Sequence, residues 1–254
     1  MIRQAQLFFC ALQFMTRLPT PSMPGFQPDW IARSSPYYPV VGWIVGAICA
    51  AVMLAASRFW PGLPAAILAV GAGLLVTGGF HEDGLADTAD GLGGGQTPAR
   101  RLEIMKDSRT GSYGVLALWT ALSLKAILLA GLAPWRAALV LILAHGLARA
   151  FAVVVMALLN YAGDPEAAKL KPAPLGVRPM EALIALALGV APLLAFLPMI
   201  NIVVGLILAT CAAGVVAFLA RRLIGGFTGD VLGAVQQVAE VGLLLGFALN
   251  GMGA

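Results

Sequence analysis

The sequence predicts an all-α fold: a polytopic transmembrane helical bundle of about seven spanning helices, preceded by an N-terminal interfacial helix. Three observations carry this. First, 60% of residues are hydrophobic and 11% charged, where a soluble domain carries about 25% charge, and the mean hydropathy is +0.89. Second, seven apolar segments, at 39–56, 64–80, 115–132, 137–159, 180–198, 202–220 and 231–250, reach or approach the roughly 20 residues that cross a hydrocarbon core. Third, Lys and Arg collect on one side of the alternating loops. All 254 residues read as a single integral membrane domain.

At the N-terminus, Arg3 is followed by a short apolar run, Leu7 to Met15, with no small-residue cleavage site after it, so it is not a signal peptide. Gln4, Gln6, Gln13 and Arg17 interleave with Leu7, Phe8, Leu12 and Met15, the pattern of a helix lying on the membrane. Residues 19–39 hold six prolines and read as an irregular connector, so 1–38 is an interfacial helix plus a Pro-rich linker. The spans end at Trp60-Pro61-Gly62, Ala133-Pro134-Trp135, a Pro-rich segment at 165–179, a short turn at 198–202 and Arg221-Arg222.

Seven crossings place Arg3, Arg17, Arg33, Arg100, Arg101, Lys106, Arg109, Lys169, Lys171, Arg178, Arg221 and Arg222 on one side, and only Arg58 and Arg136 on the other. By the positive-inside rule the N-terminus and the 81–114 region are cytoplasmic and the C-terminus is outside. The net charge of +4 thereby reads as a topology signal against the lipid bilayer and not as a nucleic-acid surface. Cys10, Cys49 and Cys211 are widely spaced among apolar residues and support neither a disulfide framework nor a thiolate metal site.

Polar chemistry concentrates at 81–114, which holds six of the twelve acidic residues. If the run is helical, Asp83, Asp87 and Asp90 share a face at offsets of four and seven. Carboxylates so close repel unless a cation joins them, and an all-oxygen set suits a hard ion such as Mg²⁺ beside substrate phosphates. The alternative, a solvated acidic loop, fits less well with neighbours as small and apolar as Gly84, Leu85, Ala86 and Ala89. Gly91 to Gly95 reads either as a phosphate-approaching run or as a flexible turn. Residues 100–109 alternate charge on an amphipathic helix, and Asp107 with Arg109 beside Gly111 suits a metal-diphosphate.

Lys125, His145 and Arg149 lie inside spans and must face the bundle interior. Arg149 reads as an anion ligand or a structural ion pair; Lys125 and His145 divide evenly between the two. In the last span Thr228 can cap the helix and Asp230 can complement its dipole, while Gln237 and Glu240 continue the face of Asp230 toward the acidic cluster. From residue types alone this is a metal-dependent phosphoryl-transfer site. No dinucleotide fingerprint or Ser-His-Asp arrangement competes with it.

These blocks also resemble a known family. HEDGLADTADGLGGG at 81–95, MKDSRTGSYG at 105–114 and TGDVLGAVQQVAE at 228–240 are similar to the motif blocks of the cobalamin synthase family, the adenosylcobinamide-GDP ribazoletransferases. ALQFMTRLPTP at 11–21 and YYPVVGWIVG at 37–46 are similar as well, so the resemblance spans about 5–245. It implies a Mg²⁺-dependent enzyme of the bacterial inner membrane that joins adenosylcobinamide-GDP to α-ribazole, or to α-ribazole 5′-phosphate, with release of GMP. It also implies other nucleotide-loop-assembly enzymes as partners, and no particular oligomeric state. With that chemistry, Asp83, Asp87 and Asp90 are assigned to Mg²⁺ and diphosphate, with Asp107 and Asp230 completing the metal site. Asp83, Asp87 or His81 is the base. Lys106, Arg109, Arg149, Gln237 and Glu240 form the substrate side.

Two rival classes follow from the same residues. Asp87-x-x-Asp90-Gly91 echoes part of the acidic signature of CDP-alcohol phosphotransferases, but the chain lacks the further aspartate pair that would complete it. A divalent-cation transporter would carry its carboxylates near mid-bilayer in several spans, whereas here they cluster at one face.

Overall fold

The computed structural model describes residues 2–23, 25–163 and 176–249. Their helices are α1 (Ile2–Met15), α2 (Trp30–Arg33), α3 (Tyr38–Ala56), α4 (Leu63–Thr77), α5 (Phe80–Gly94), α6 (Pro98–Lys106), α7 (Ser112–Ala130), α8 (Pro134–Leu158), α9 (Pro179–Phe196), α10 (Met199–Ile224) and α11 (Gly229–Phe247), with a 3₁₀ turn at Ser35–Tyr37. Among the described residues the only β pairing is an isolated parallel bridge, Tyr161 to Phe227. The predicted all-α membrane bundle is therefore what forms. Lys169 and Lys171, and most of the Pro-rich segment at 165–179, lie outside the described residues.

Six helices are long and apolar enough to cross a membrane: α3 with its preceding turn, α7, α8, α9, α10 and α11. The seventh predicted span, 64–80, needs correction. It forms the 15-residue α4, which passes the same test only jointly with α5, and the two meet at 91°. At 1.5 Å per residue α4 rises about 22 Å, short of a hydrocarbon core of about 30 Å. The break is Gly78-Gly79, with φ of 72° and 69°, a left-handed conformation that residues with a Cβ rarely hold. Gly79 N–H donates to Leu74 O at 2.9 Å, closing α4, and the Arg17 guanidinium occupies the space a Cβ on Gly78 would need. Arg17 N–H also donates to Val76 O at 2.7 Å, so the end of the N-terminal helix is tied to the end of α4.

Helices pack through small residues. A Cβ on Gly46 would stand 2.7 Å from Ile142 Cα, one on Gly42 would strike His145 O, and one on Gly146 would strike the Trp43 indole. These contacts seat α3 on α8. The α10–α11 pair closes the same way: Gly246 faces Gly205, and a Cβ on Gly242 would reach Ala209 N at 2.7 Å. In a bilayer, where burial from lipid gives little hydrophobic gain, such close backbone approach is what dispersion rewards. The end of α11 is held by Asn201 Nδ2, which donates to Gly246 O (3.0 Å) and Leu249 O (2.9 Å).

Two boundaries move. The Gly91–Gly94 part of the glycine run continues α5 as helix and is not a turn; the chain leaves the helix only at Gly95, with ψ 140°. The tenth helix runs through Arg221 and Arg222 to Ile224 before Gly225, at φ 88°, ends it. Within the Pro-rich connector, the chain forms α2 and the 3₁₀ turn from Trp30 onward, where an irregular segment was expected. The N-terminal helix is amphipathic, with Leu7, Cys10, Ala11, Leu12 and Met15 buried.

Candidate active site

At one end of the bundle, the beginnings of α3, α5 and α11 and the ends of α1, α6 and α8 surround a cleft of about 250 Å³. The acidic helix contributes His81 and Asp83, α6 contributes Lys106, α8 contributes Arg149, and the start of α11 contributes Thr228 and Asp230. Apolar walls come from Phe14 and Met15 of α1, Tyr38, Phe80, Met105 and Met156.

The local folding explains why Asp83 and Asp230 share this cleft. α5 crosses α11 at Gly84 and Gly233: a Cβ on Gly84 would lie 2.7 Å from Asp230 O, and one on Gly233 would lie 3.0 Å from His81 O and 3.2 Å from Gly84 Cα. Only a pair of glycines lets the backbones meet so closely, and the contact sets the first turn of α11 beside the first turn of α5. Thr228 Oγ1 accepts from Val231 N–H at 3.3 Å, the capping bond its sequence position suggests. The strand-like bridge between Asn160–Ala162 and Phe227 holds the turn: Ala162 N–H donates to Phe227 O at 2.8 Å, and Phe227 N–H to Asn160 O at 2.9 Å.

The acidic triad divides. Asp83 is exposed on the cleft, Asp87 is buried one turn further on, and Asp90 serves the backbone. Asp90 Oδ2 accepts from Gly111 N–H at 2.7 Å and Oδ1 from Gly114 N–H at 2.9 Å. That carboxylate satisfies amide donors at the N-terminus of α7 and binds the second motif block to the first. Among the described residues no three His, Cys, Asp or Glu side chains form a ready metal cluster. Asp107 and Arg109 pair with each other on the surface between α6 and α7, with Arg109 Nη2 2.7 Å from Asp107 Oδ2 and the Arg109 side chain 87% exposed. They are not among the residues lining the cleft. The hydrogen bonds from Arg109 hold the Asp107 carboxyl at about 2, well below the usual carboxylate value.

Gln237 and Glu240 do face the interior, but behind the cleft and not in it. They line a second chamber of about 20 Å³ with Lys125, His145, Gln236 and Glu82, and His81 and Arg149 border both spaces. There Lys125 Nζ lies 2.8 Å from Glu240 Oε1 and donates to Gln237 Oε1 at 2.7 Å. Gln237 Nε2 donates to Glu82 Oε1 at 2.8 Å, reaching back to the acidic helix. Gln236 Nε2 donates to Glu240 Oε2 at 2.7 Å, and His145 Nδ1 stands 3.5 Å from the same oxygen. Arg149 Nη1 donates to His145 O at 2.8 Å, whereas Arg149 Nε is buried with no hydrogen-bond partner among the described residues. This network is the part sequence reasoning left incomplete: Lys125 showed itself as a charge inside a span, but Glu82 and Gln236 carried no signal beyond their neighbours.

A family model described as cobalamin-5-phosphate synthase matches residues 7–248. The chain is 44% identical to the adenosylcobinamide-GDP ribazoletransferase of Leptothrix cholodnii over 97% of this chain and 96% of that one. It is also 44% identical to the protein of the same name from Shewanella woodyi, over 97% of this chain and 98% of the relative. A third relative of that name, from Ralstonia pickettii, is 44% identical over 95% and 94%. No solved structure matches.

Proposed function

The chain belongs to the cobalamin-5-phosphate synthase family, and from that premise we propose that its cleft joins adenosylcobinamide-GDP to α-ribazole, or to α-ribazole 5′-phosphate, releasing GMP late in cobalamin biosynthesis. The observation that carries the site assignment is the meeting of two carboxylates, Asp83 and Asp230, with two cations, Lys106 and Arg149, in one cleft.

The donor set fits Mg²⁺. This ion takes oxygen ligands and is commonly held by one or two carboxylates together with substrate phosphates, without an all-protein cage. Asp83 and Asp230 would hold it, with Asp87 behind them. When bound, Mg²⁺ supplies charge neutralisation of the diphosphate and polarises the phosphorus under attack. The chain's own residues do the rest. Arg149 offers a guanidinium with an unused buried Nε beside the cleft, suited to the oxygens of a diphosphate. Lys106, exposed at the rim, adds a second cation for the departing GMP. A ribazole hydroxyl oxygen bonds to the phosphorus on the cobinamide arm as that phosphorus separates from the GMP oxygen. The hydroxyl proton passes to His81 or to Asp83, both on the cleft wall.

A cavity of about 250 Å³ lies just below the usual range of ligand pockets, about 300–1,000 Å³. It suits the diphosphate and one heterocycle, leaving the corrin ring beyond the mouth at the membrane surface. By the charge asymmetry of the loops the cleft faces the cytoplasm from a bacterial inner membrane. The purified full chain in proteoliposomes, with adenosylcobinamide-GDP, α-ribazole and graded Mg²⁺, tests this. Asp83→Asn and Asp230→Asn should each abolish Mg²⁺-dependent GMP release while the protein still inserts and stays monodisperse. Full activity in either variant removes the metal assignment, and release of CMP from a CDP-alcohol donor would favour the rival phosphotransferase.

A further inference from the structure

Apart from the cleft, α1, the 3₁₀ turn and the start of α9 enclose an open groove of about 540 Å³. Its upper part carries three guanidinium side chains, Arg3, Arg33 and Arg178. One carboxylate, Glu181, answers them, and its Oε2 is engaged by the Arg178 backbone N–H at 2.8 Å. Arg33 also pairs with Asp29 at 3.2 Å, at a site where Asp29 is 52% exposed. The groove therefore keeps a positive excess. One edge is fixed by Tyr37, whose hydroxyl donates to Gln4 Oε1 at 2.8 Å.

Below the arginines the lining turns apolar. Leu7 of α1 and Ile184 and Leu188 of α9 continue it, the last two one helical turn apart and descending into the span. Most of α9 is not covered by protein: 22% of its most apolar window is buried, against 78% for α8. A cationic head of three arginines above the exposed Ile184 and half-buried Leu188 of α9, at the point where a helix enters the hydrocarbon layer, has the chemistry of a phosphate on two acyl chains.

We infer that this groove binds an anionic phospholipid, with its phosphate between Arg3, Arg33 and Arg178 and its chains along Ile184 and Leu188. A free phosphate ion would use the arginines and gain nothing from the apolar stripe, and a zwitterionic lipid would bring its own cation into a positive groove. The same α1 supplies Phe14 and Met15 to the cleft, so lipid at its first turns ties one cleft wall to the bilayer surface.

Native mass spectrometry of the full chain released from nanodiscs of equal phosphatidylglycerol and phosphatidylcholine tests this. The wild type should retain phosphatidylglycerol at least tenfold over phosphatidylcholine. Each basic residue at such a surface is worth about fivefold in affinity, so Arg3→Gln/Arg178→Gln should lower phosphatidylglycerol retention by about 25-fold and leave phosphatidylcholine unchanged. Arg3→Lys/Arg178→Lys should keep the preference, which separates loss of charge from loss of fold. Equal retention of the two lipids by the wild type, undiminished retention by the Gln variant, or full displacement by millimolar inorganic phosphate would each overturn the inference.

Discussion

Replacing Lys125 by Met should strongly destabilise this protein, because it strands a charge in the membrane interior. The ammonium sits 2.8 Å from Glu240 Oε1, with the two side chains 4% and 2% exposed, and it donates a second bond to Gln237 at 2.7 Å. Met fills nearly the same volume, so the loss is electrostatic. Removing one partner of a buried ion pair leaves the other charge uncompensated and costs about 3–5 kcal/mol. The bond to Gln237 adds about 0.6 kcal/mol, the average for hydrogen bonds between membrane helices, for about 4–6 kcal/mol in all. Glu240→Gln alone should cost a similar amount, since Lys125 is then the stranded charge. The double variant should recover most of the loss, because neither charge remains: its destabilisation should fall below about 2 kcal/mol, a coupling of several kcal/mol between the two sites. Reversible unfolding in mixed micelles, titrated with SDS and followed by tryptophan fluorescence, measures all three. If the two single losses simply add in the double variant, or if Lys125→Met costs under about 1 kcal/mol, the pair is not a mutually neutralising buried unit and the reasoning fails.

Two further changes probe the acidic region. Asp90→Ala removes both acceptors for the Gly111 and Gly114 amides; charge-assisted bonds of this kind contribute about 1.5–3 kcal/mol each, and faster hydrogen exchange should appear at 111–116 before any global loss, whereas unchanged protection there would refute the tie. For Asp107 the folded value of about 2 lies below its ordinary value of 3.8. The contribution of its pair with Arg109 is therefore complete above about pH 4 and lost as pH falls through 2, so activity between pH 5 and 9 should show no Asp107 titration, and carbon-detected NMR should return the carboxyl to its ordinary value in Arg109→Ala.

Much of this bundle could be read from apolar length and charge alone, because lipid imposes both. Six of the seven expected spans became helices of spanning length. The shared face of Asp83, Asp87 and Asp90 was legible as helical spacing, and that stretch is helical. What each carboxylate does was not legible, because the partner of Asp90 lies 21 to 24 residues away and is brought in by the folding back of α7. The glycine run misleads for a related reason. Glycine disfavours helix in isolation, yet a Cβ on Gly91 would stand 2.5 Å from Met105 Cγ, and one on Gly93 would stand 3.0 Å from the Tyr113 ring. The residue type was selected by what packs on the helix. Gln237 and Glu240 were expected to face the acidic cluster; Gln237 does reach Glu82 on α5, and both also meet Lys125 of α7, a lysine flanked in sequence by Leu124 and Ala126.

The right-angled pair α4 and α5 also bears on how the chain enters the membrane during synthesis. Leu63–Thr77 is a short apolar helix, and Phe80–Gly94 carries Glu82, Asp83, Asp87 and Asp90, each acidic residue costing about 2.5–3.5 kcal/mol at a helix centre on the insertion scale. A translocon offered this pair alone gains little by releasing it into lipid. The groups that answer its acids, the Gly111 and Gly114 amides at the start of α7 and Gln237 on α11, are made later, and α11 is the last helix among the described residues. The acidic helix must therefore wait, shielded at the membrane surface or inside the insertion machinery, until α11 arrives to receive it.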